Sequence, residues 1–478
     1  MDTFIAAVKQ QTFPLSGADS YSACVTIPLY YYFENKSSSA QFMPSALLKD
    51  SFYTTLQEFS FFAGHLHMKN GGVGAYIAVD PQNLNMPEYT EHNSDSVSFN
   101  DLKAAGYSPN ALPTEISKAN IFSTENADNV IKLVRIKVAR LQNNTGVVIL
   151  VNPVHALADA YGFCEFMKHW SHVCREMMAA PGAQVSSSDT RLLTERKALY
   201  DSLPENGLPM DETTAKVLGK KSLLSVLLAW LSPEKRAEFL DSVTPCAMTD
   251  NHVFYLSNET LCGLKETVNE AAAAAASNTR LSSNDIITAI LTMVSVQCNQ
   301  AHDGDRDDET IIVNFPVDFR KRLSNPSMTK YTGNCVVAPM LPFQYSDLRA
   351  EVGNESLAAC ALKVRRLVDL VTPEYVRQCF DLIDTEPDCI MRATAYSSSI
   401  ASGFCLSNHS RIDYYGVDFG CGRPVWINPP STYVPNYATI LPTSTYDGGC
   451  YIYLSLLKGD MERALQHKFW RSVTELVN

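Results

Sequence analysis

The chain has 478 residues, 46% of them hydrophobic and 19% charged, and its 39 basic and 51 acidic side chains give a formal charge of −12. That is enough apolar material for two or three domains with substantial cores, which argues against a mostly disordered chain. The acidic balance argues against a nucleic-acid-binding face, so an anionic ligand has to be met by a few local cations. The 13 cysteines are an odd number and no two stand at C-x-x-C spacing, so the usual zinc-ribbon and thioredoxin patterns are absent and no metal is expected. Residues 1–11 carry no apolar core of signal-peptide length, and no apolar run approaches the ~20 residues of a membrane span. The expectation is a cytoplasmic monomer with free thiols.

In chain order, residues 21–33 (YSACVTIPLYYYF) are β-branched and aromatic and predict one long strand or a strand pair. Apolar side chains at Leu47, Leu48, Phe52, Leu56 and Phe59 predict an amphipathic helix over 45–61, followed by a strand-like run at 62–66. Residues 130–138 and 146–151 predict two more strands, and the continuously apolar VVILV of 147–151 fits a strand buried on both faces. Phe163, Phe166, Met167, Trp170, Val173, Cys174 and Met177 then repeat at three- and four-residue steps, as one face of a helix does.

Residues 180–219 lose that periodicity and hold Pro204, Gly207 and Pro209, which reads as a crossover between domains. Residues 222–231 form a short apolar segment, a core helix or a flap. Six alanines at 271–276 extend a helix beginning near Leu261, and a second, buried helix is predicted over 285–298. Strands are expected at 311–315, 336–341 and 451–456. Helices and strands are mixed in both halves, which predicts an α/β architecture of two domains of related size, 1–180 and 220–478, joined by 181–219.

The densest chemistry lies in Pro153-Val-His155-Ala-Leu-Ala-Asp159-Ala-Tyr-Gly162, where a buried strand ends and a helix begins. An aspartate there can cap the helix, and a histidine at such a junction can expose one nitrogen and accept a proton when uncharged. The lone H-x-x-x-D spacing is also compatible with a structural histidine. Asp418-Phe-Gly420-Cys-Gly422-Arg-Pro424 does not open a helix, so it reads as a fixed irregular loop anchored by Asp418, not a phosphate cradle. The cluster Asp318-Phe-Arg320-Lys-Arg322 is either a solvated edge or the source of an arginine that reaches inward to a buried carboxylate.

Together these segments resemble the BAHD-type acyl-CoA-dependent acyltransferases, within the wider group that includes chloramphenicol acetyltransferase and condensation domains. Along nearly the whole chain, Leu15-Ser-Gly-Ala-Asp19 resembles the family's opening motif and Phe61-Phe-Ala-Gly64-His-Leu its PLAGRL turn. His155 to Asp159 matches HxxxD, and residues 281–289 resemble the start of the second domain's buried helix. Val317 to Leu323 resembles VDxRxRL, Tyr331-Thr-Gly-Asn334-Cys335 resembles YFGNC, and residues 407–422 resemble TxWxRxxxxxxDFGWG. Ala160, His409 and Cys421 depart from that pattern, at positions where it has Gly, Trp and Trp. The departures resemble fungal members such as the trichothecene acetyltransferases. Val154 stands where a condensation domain has a second histidine.

The resemblance implies two chloramphenicol-acetyltransferase-like domains, each a mixed sheet with flanking helices, joined by a long crossover. It implies His155 as general base, Asp159 pointing away from substrate to pair with Arg320 or, alternatively, Arg322, and Ser407 as a donor to the oxyanion or the acceptor. Arg320, Asp418, Gly420 and Gly422 are expected to support the site. Acetyl-CoA or another acyl-CoA is the expected co-substrate, its phosphates met by Lys220, Lys221 and Lys265 and the hydroxyls of Ser282 and Ser283. The acceptor is expected to be a small hydrophobic alcohol or secondary metabolite. N-acyl transfer to an amine, or an inactive binding protein of the same fold, are the alternatives.

Overall fold

A computed structural model describes residues 1–23, 25–68, 74–117, 119, 130–180, 192–208, 249–299, 309–385, 403–431 and 434–478. Two large mixed sheets organise them. The first runs β9-β1-β4-β3-β2, built from β1 (Leu29–Glu34), β2 (Glu88–Asn93), β3 (Val134–Arg140), β4 (Gly146–Pro153) and β9 (Trp426–Asn428). Strand β4 is buried along all eight residues, as its unbroken apolar sequence requires. It pairs antiparallel with β1 and β3, while β2 and β3 run parallel.

The second sheet comes wholly from the later half and runs β7-β6-β8-β10-β11-β5-β12. Its strands are β5 (Thr249–Leu256), β6 (Thr310–Asn314), β7 (Met340–Gln344), β8 (Phe404–Asn408), β10 (Tyr437–Pro442), β11 (Cys450–Leu457) and β12 (Glu475–Leu476). Strand β8 lies between β6 and β10, parallel to both. The chain of the second half also returns to the first sheet: β9 pairs antiparallel with β1, Trp426 opposite Tyr32 and Asn428 opposite Tyr30. Trp426 stacks on Tyr107 and meets Tyr451, and the Tyr453 hydroxyl donates to the Ile427 carbonyl, so an aromatic cluster joins the two sheets.

Among the helices, α1 (Gly17–Tyr21) and α2 (Ser45–Thr55) precede α3 (Ala160–Ala179), which follows β4. Trp170 of α3 donates to the Ser51 hydroxyl of α2. In the second half, α4 (Asn258–Ala274), α5 (Ser283–Cys298) and α6 (Asn354–Leu370) pack together. No described helix is long and apolar enough to cross a membrane.

The structure differs locally from the sequence-based expectation in three places. Residues 21–33 hold strand only from Leu29: α1, opened by the Ser16–Asp19 capping box, takes up Tyr21, and Thr26 makes only an isolated bridge to Val154. The helix over 45–61 stops at Thr55, and Ser60–Ala63 forms a separate 3-10 turn. The stretch over 180–219 contains an ordered piece: Leu193 bridges Tyr331, and Lys197–Asp201 is helical. Residues 222–231, Lys220 and Lys221 lie outside the described residues.

Candidate active site

His155 is the second residue after β4. Its backbone N–H donates to the Val25 carbonyl at 2.8 Å, and its carbonyl accepts from the Asn334 side-chain amide at 2.7 Å. The backbone on either side of the ring is therefore fixed. The residue as a whole is partly accessible. Its Nδ1 is buried without a hydrogen-bond partner, which leaves Nε2 as the open nitrogen. Burial pulls the ring's pKa below 6.5, against the opposing influence of its own carbonyl, Asp159, Asn334 and Asp19. The ring is thus uncharged near neutral pH, and its own carbonyl, which favours a proton on the ring beside it, suits the Nδ1–H tautomer that leaves Nε2 as the acceptor.

Asp159 caps α3 by accepting from the Gly162 N–H at 2.9 Å, and its other oxygen accepts from the Cys335 N–H at 2.9 Å. Arg320 supplies the counter-charge: Nη2 donates to Oδ1 at 2.8 Å and Nη1 lies 2.8 Å from Oδ2. Both side chains are buried. Burial alone would raise the carboxyl pKa, but the Arg320 charge and these donors prevail and hold it below the usual carboxylate range. Arg320 also donates to the Tyr331 and Gly333 carbonyls, which ties 331–335 to the helix start. Arg322 takes no part, since its guanidinium donates to the Val368 and Val371 carbonyls at the end of α6. Gly162 is required by close approach: a Cβ there would sit 1.9 Å from the Thr332 carbonyl oxygen.

A second buried ion pair stands behind the same loop. Asp19 accepts from the Asn334 backbone and side-chain amides at 3.0 and 2.8 Å and from Arg196 Nε at 3.2 Å. Arg196 in turn donates to the Leu157 carbonyl, within the H-x-x-x-D turn, and lies over the Phe61 and Tyr331 rings. The 155–159 turn is therefore clamped from two sides, by Arg320 through Asp159 and by Arg196 through Leu157. Sequence reasoning assigned no role to Asp19, Arg196 or Asn334. The S-x-x-D spacing of Ser16 and Asp19 was a legible cap signal, but nothing local marks Arg196.

Ser407, near the end of β8, is almost fully buried. Its hydroxyl lies 2.7 Å from His409 Nε2, and the Tyr414 hydroxyl lies 3.0 Å from His409 Nδ1. Burial pulls the His409 pKa down to about 4 against the opposing pull of the Asp159 charge, and a proton on His155 would lower it further, so these side chains share the neighbourhood of the H-x-x-x-D turn. Burial pushes the Tyr437 phenol up to about 12, against the opposing pull of the Thr439 and Ser407 hydroxyls.

The remaining sequence-derived candidates stand apart from this cluster. Asp418 Oδ1 accepts from the N–H groups of Gly420 and Gly422, whose φ values of 90° and 98° are left-handed. Arg175 of α3 donates to the Asp418 carbonyl, which ties that loop to the helix following His155. Ser282 caps α5, and its hydroxyl donates to Asp285 and accepts from Arg365. Ser283 opens the same helix, and Lys265 is partly exposed on α4.

The chain is similar to several known proteins. A profile described as the Transferase family matches residues 6–470. Anthranilate N-benzoyltransferase protein 3 of Dianthus caryophyllus is 25% identical over 237 residues, 49% of this chain and 50% of that protein. The chain spans about half the length, or less, of the curated relatives it matches first. The crystal structure of F. graminearum TRI101 complexed with coenzyme A and deoxynivalenol aligns with a TM-score of 0.74 at 16% identity, covering 98% of this chain and all of that one. TRI3 trichothecene 15-O-acetyltransferase from Fusarium sporotrichioides aligns at 0.56 and 13% identity, covering 96% and 93%. These structures share its mixed α/β fold. With the family profile spanning nearly its whole length, the chain belongs to the Transferase family of BAHD-type acyltransferases.

Proposed function

We propose that the protein transfers an acyl group, most simply acetyl, from acyl-CoA to the hydroxyl of a small hydrophobic alcohol or secondary metabolite. The observation that carries this is His155: neutral, fixed at its backbone, and open at one nitrogen only. In the proposed reaction Nε2 takes the acceptor's proton as its oxygen attacks the thioester carbonyl. The tetrahedral intermediate then collapses, and the proton on His155 passes to the departing CoA sulfur. No acyl-enzyme is needed. Burial pushes the Cys335 thiol beside Asp159 well up, and the Cys164 and Cys405 thiols up as well, which disfavours thiolate nucleophiles. Asp159 and Arg320 hold the turn that aims the ring, and Ser407 donates to the oxyanion.

In this reading Lys220, Lys221, Lys265 and Ser283 meet the CoA phosphates, and Ser282, whose hydroxyl already serves Asp285 and Arg365, is a further contact. Fold similarity to a trichothecene 15-O-acetyltransferase favours a hydroxyl acceptor. N-acyl transfer is the second reading, favoured by the similarity to an anthranilate N-benzoyltransferase. The test is incubation with acetyl-CoA and a panel of alcohols and amines, followed by thiol release. Turnover with alcohols that disappears in His155→Ala supports the proposal. Turnover with amines alone supports the second reading, and turnover with neither, despite binding of acetyl-CoA, refutes both.

A further inference from the structure

His409 stands where the resembled pattern has tryptophan, and the change replaces a ring with one N–H by a ring with two nitrogens. Both nitrogens are engaged, Nε2 with the Ser407 hydroxyl and Nδ1 with the Tyr414 hydroxyl. A neutral imidazole carries one donor and one acceptor, so the three groups form a chain with only two possible directions. Burial keeps His409 uncharged down to about pH 4 and keeps the Tyr414 phenol protonated.

The direction follows from what each end can do with its proton. Tyr414 is 4% exposed, and among the described residues His409 Nδ1 is the acceptor within reach of its O–H. Were Nδ1 to carry the proton, the Tyr414 O–H would be left buried without an acceptor, an expensive arrangement. The favoured order is therefore Tyr414 O–H to Nδ1, then Nε2–H to Ser407 Oγ. The lone pair of Ser407 that faces His409 is then occupied, and its own O–H is directed elsewhere, the Tyr437 oxygen being one partner within its reach. Thr439 stands opposite Ser407 on the neighbouring strand β10, Tyr437 lies within hydrogen-bonding reach of both hydroxyls, and His409 is close enough to His155 for the two rings to influence each other.

We propose that His409 and Tyr414 are positioning residues that lock the Ser407 hydroxyl as a donor to the oxyanion formed during acyl transfer. This inference rests on the acyl-transfer reading above. No proton changes hands along the chain: the acceptor's proton goes to His155, negative charge gathers on the thioester oxygen, and Ser407 meets it with a hydrogen bond already oriented.

The test combines ¹⁵N NMR of the folded protein with kinetics, using acetyl-CoA and the acceptor of the panel that turns over fastest. At pH 7 His409 should give the signature of the neutral Nε2–H tautomer, whatever the activity. His409→Phe should lower kcat by about tenfold or more with the KM for acetyl-CoA within about twofold, and Tyr414→Phe should lower kcat by a few-fold. His409→Gln, whose side-chain amide can supply an N–H to Ser407, should recover part of that loss. In a Ser407→Ala background His409→Phe should have no further effect, because the group it orients is gone. An Nδ1–H tautomer, or losses that multiply in the double variant, overturns the inference. If His155→Ala keeps its rate, the acyl-transfer reading itself falls. Loss in His155→Ala with the wrong His409 tautomer removes this inference alone.

Discussion

Two partly buried imidazoles share one neighbourhood, and they differ in what holds their nitrogens. His155 and His409 are both pulled below 6.5 by burial. His409 has a hydroxyl partner on each nitrogen, whereas His155 Nδ1 is buried without one and Nε2 is left open. Burial sets the charge state of both; hydrogen-bond partners set what each can do. A ring engaged at both ends is a fixed element, and a ring with an open acceptor can take a proton. The two buried ion pairs differ in a parallel way: Asp159–Arg320 holds the start of α3, and Asp19–Arg196 holds the middle of the turn before it.

The largest expected effect separates the two rings. His155→Ala should cut turnover by about 10²–10⁴-fold, the usual scale of general-base help, while leaving the thermal midpoint within a few degrees of the parent. A comparable loss of stability would make His155 structural and erase the contrast. The two ion pairs are contrasted by Arg320→Ala, which strands the buried Asp159 charge. It should cost about 3–5 kcal/mol in chemical denaturation, and a cost under about 1 kcal/mol would mean the pair does not clamp the turn.

His409 provides a pH-dependent test. Its folded pKa of about 4 lies below its unfolded value of 6.5, so the unfolded chain binds the extra proton in acid. The associated stability is present above pH 6.5 and is lost as pH falls toward 4, up to about 3 kcal/mol. Denaturation curves at pH 7 and pH 4.5 should therefore converge more for His409→Gln than for the parent; equal pH dependence in the two would contradict a buried neutral His409. The smallest effect is expected of Asn334→Ala, which removes donors to the His155 carbonyl and to Asp19. It should cost about 1–3 kcal/mol and lower kcat more than it raises KM. Unchanged kcat would show that the turn is aimed without it.

The sequence showed the H-x-x-x-D turn because its parts are contiguous: an apolar strand, a histidine and a helix-capping aspartate. The choice between Arg320 and Arg322 was illegible, since both leave the same strand end and only tertiary packing sends Arg322 to the carbonyls of α6. Arg196 was hidden for a different reason. It lies in a stretch without periodicity, and its partners Asp19 and Leu157 are 177 and 39 residues away. The return of Trp426–Asn428 to the first sheet was equally hidden, because a three-residue strand carries almost no pattern of its own. His409 was visible as a departure, but its meaning needed Tyr414, five residues on, to fold back onto it.

The most direct test is the pH dependence of kcat/KM for thiol release from acetyl-CoA, in the parent and in His155→Ala. A neutral base must be deprotonated to act, so the parent's rate should rise with pH through a single acid limb whose midpoint lies below 6.5, and that limb should vanish with the side chain. A residual rate close to the parent's, with the same limb intact in His155→Ala, would contradict the assignment of His155 as the base.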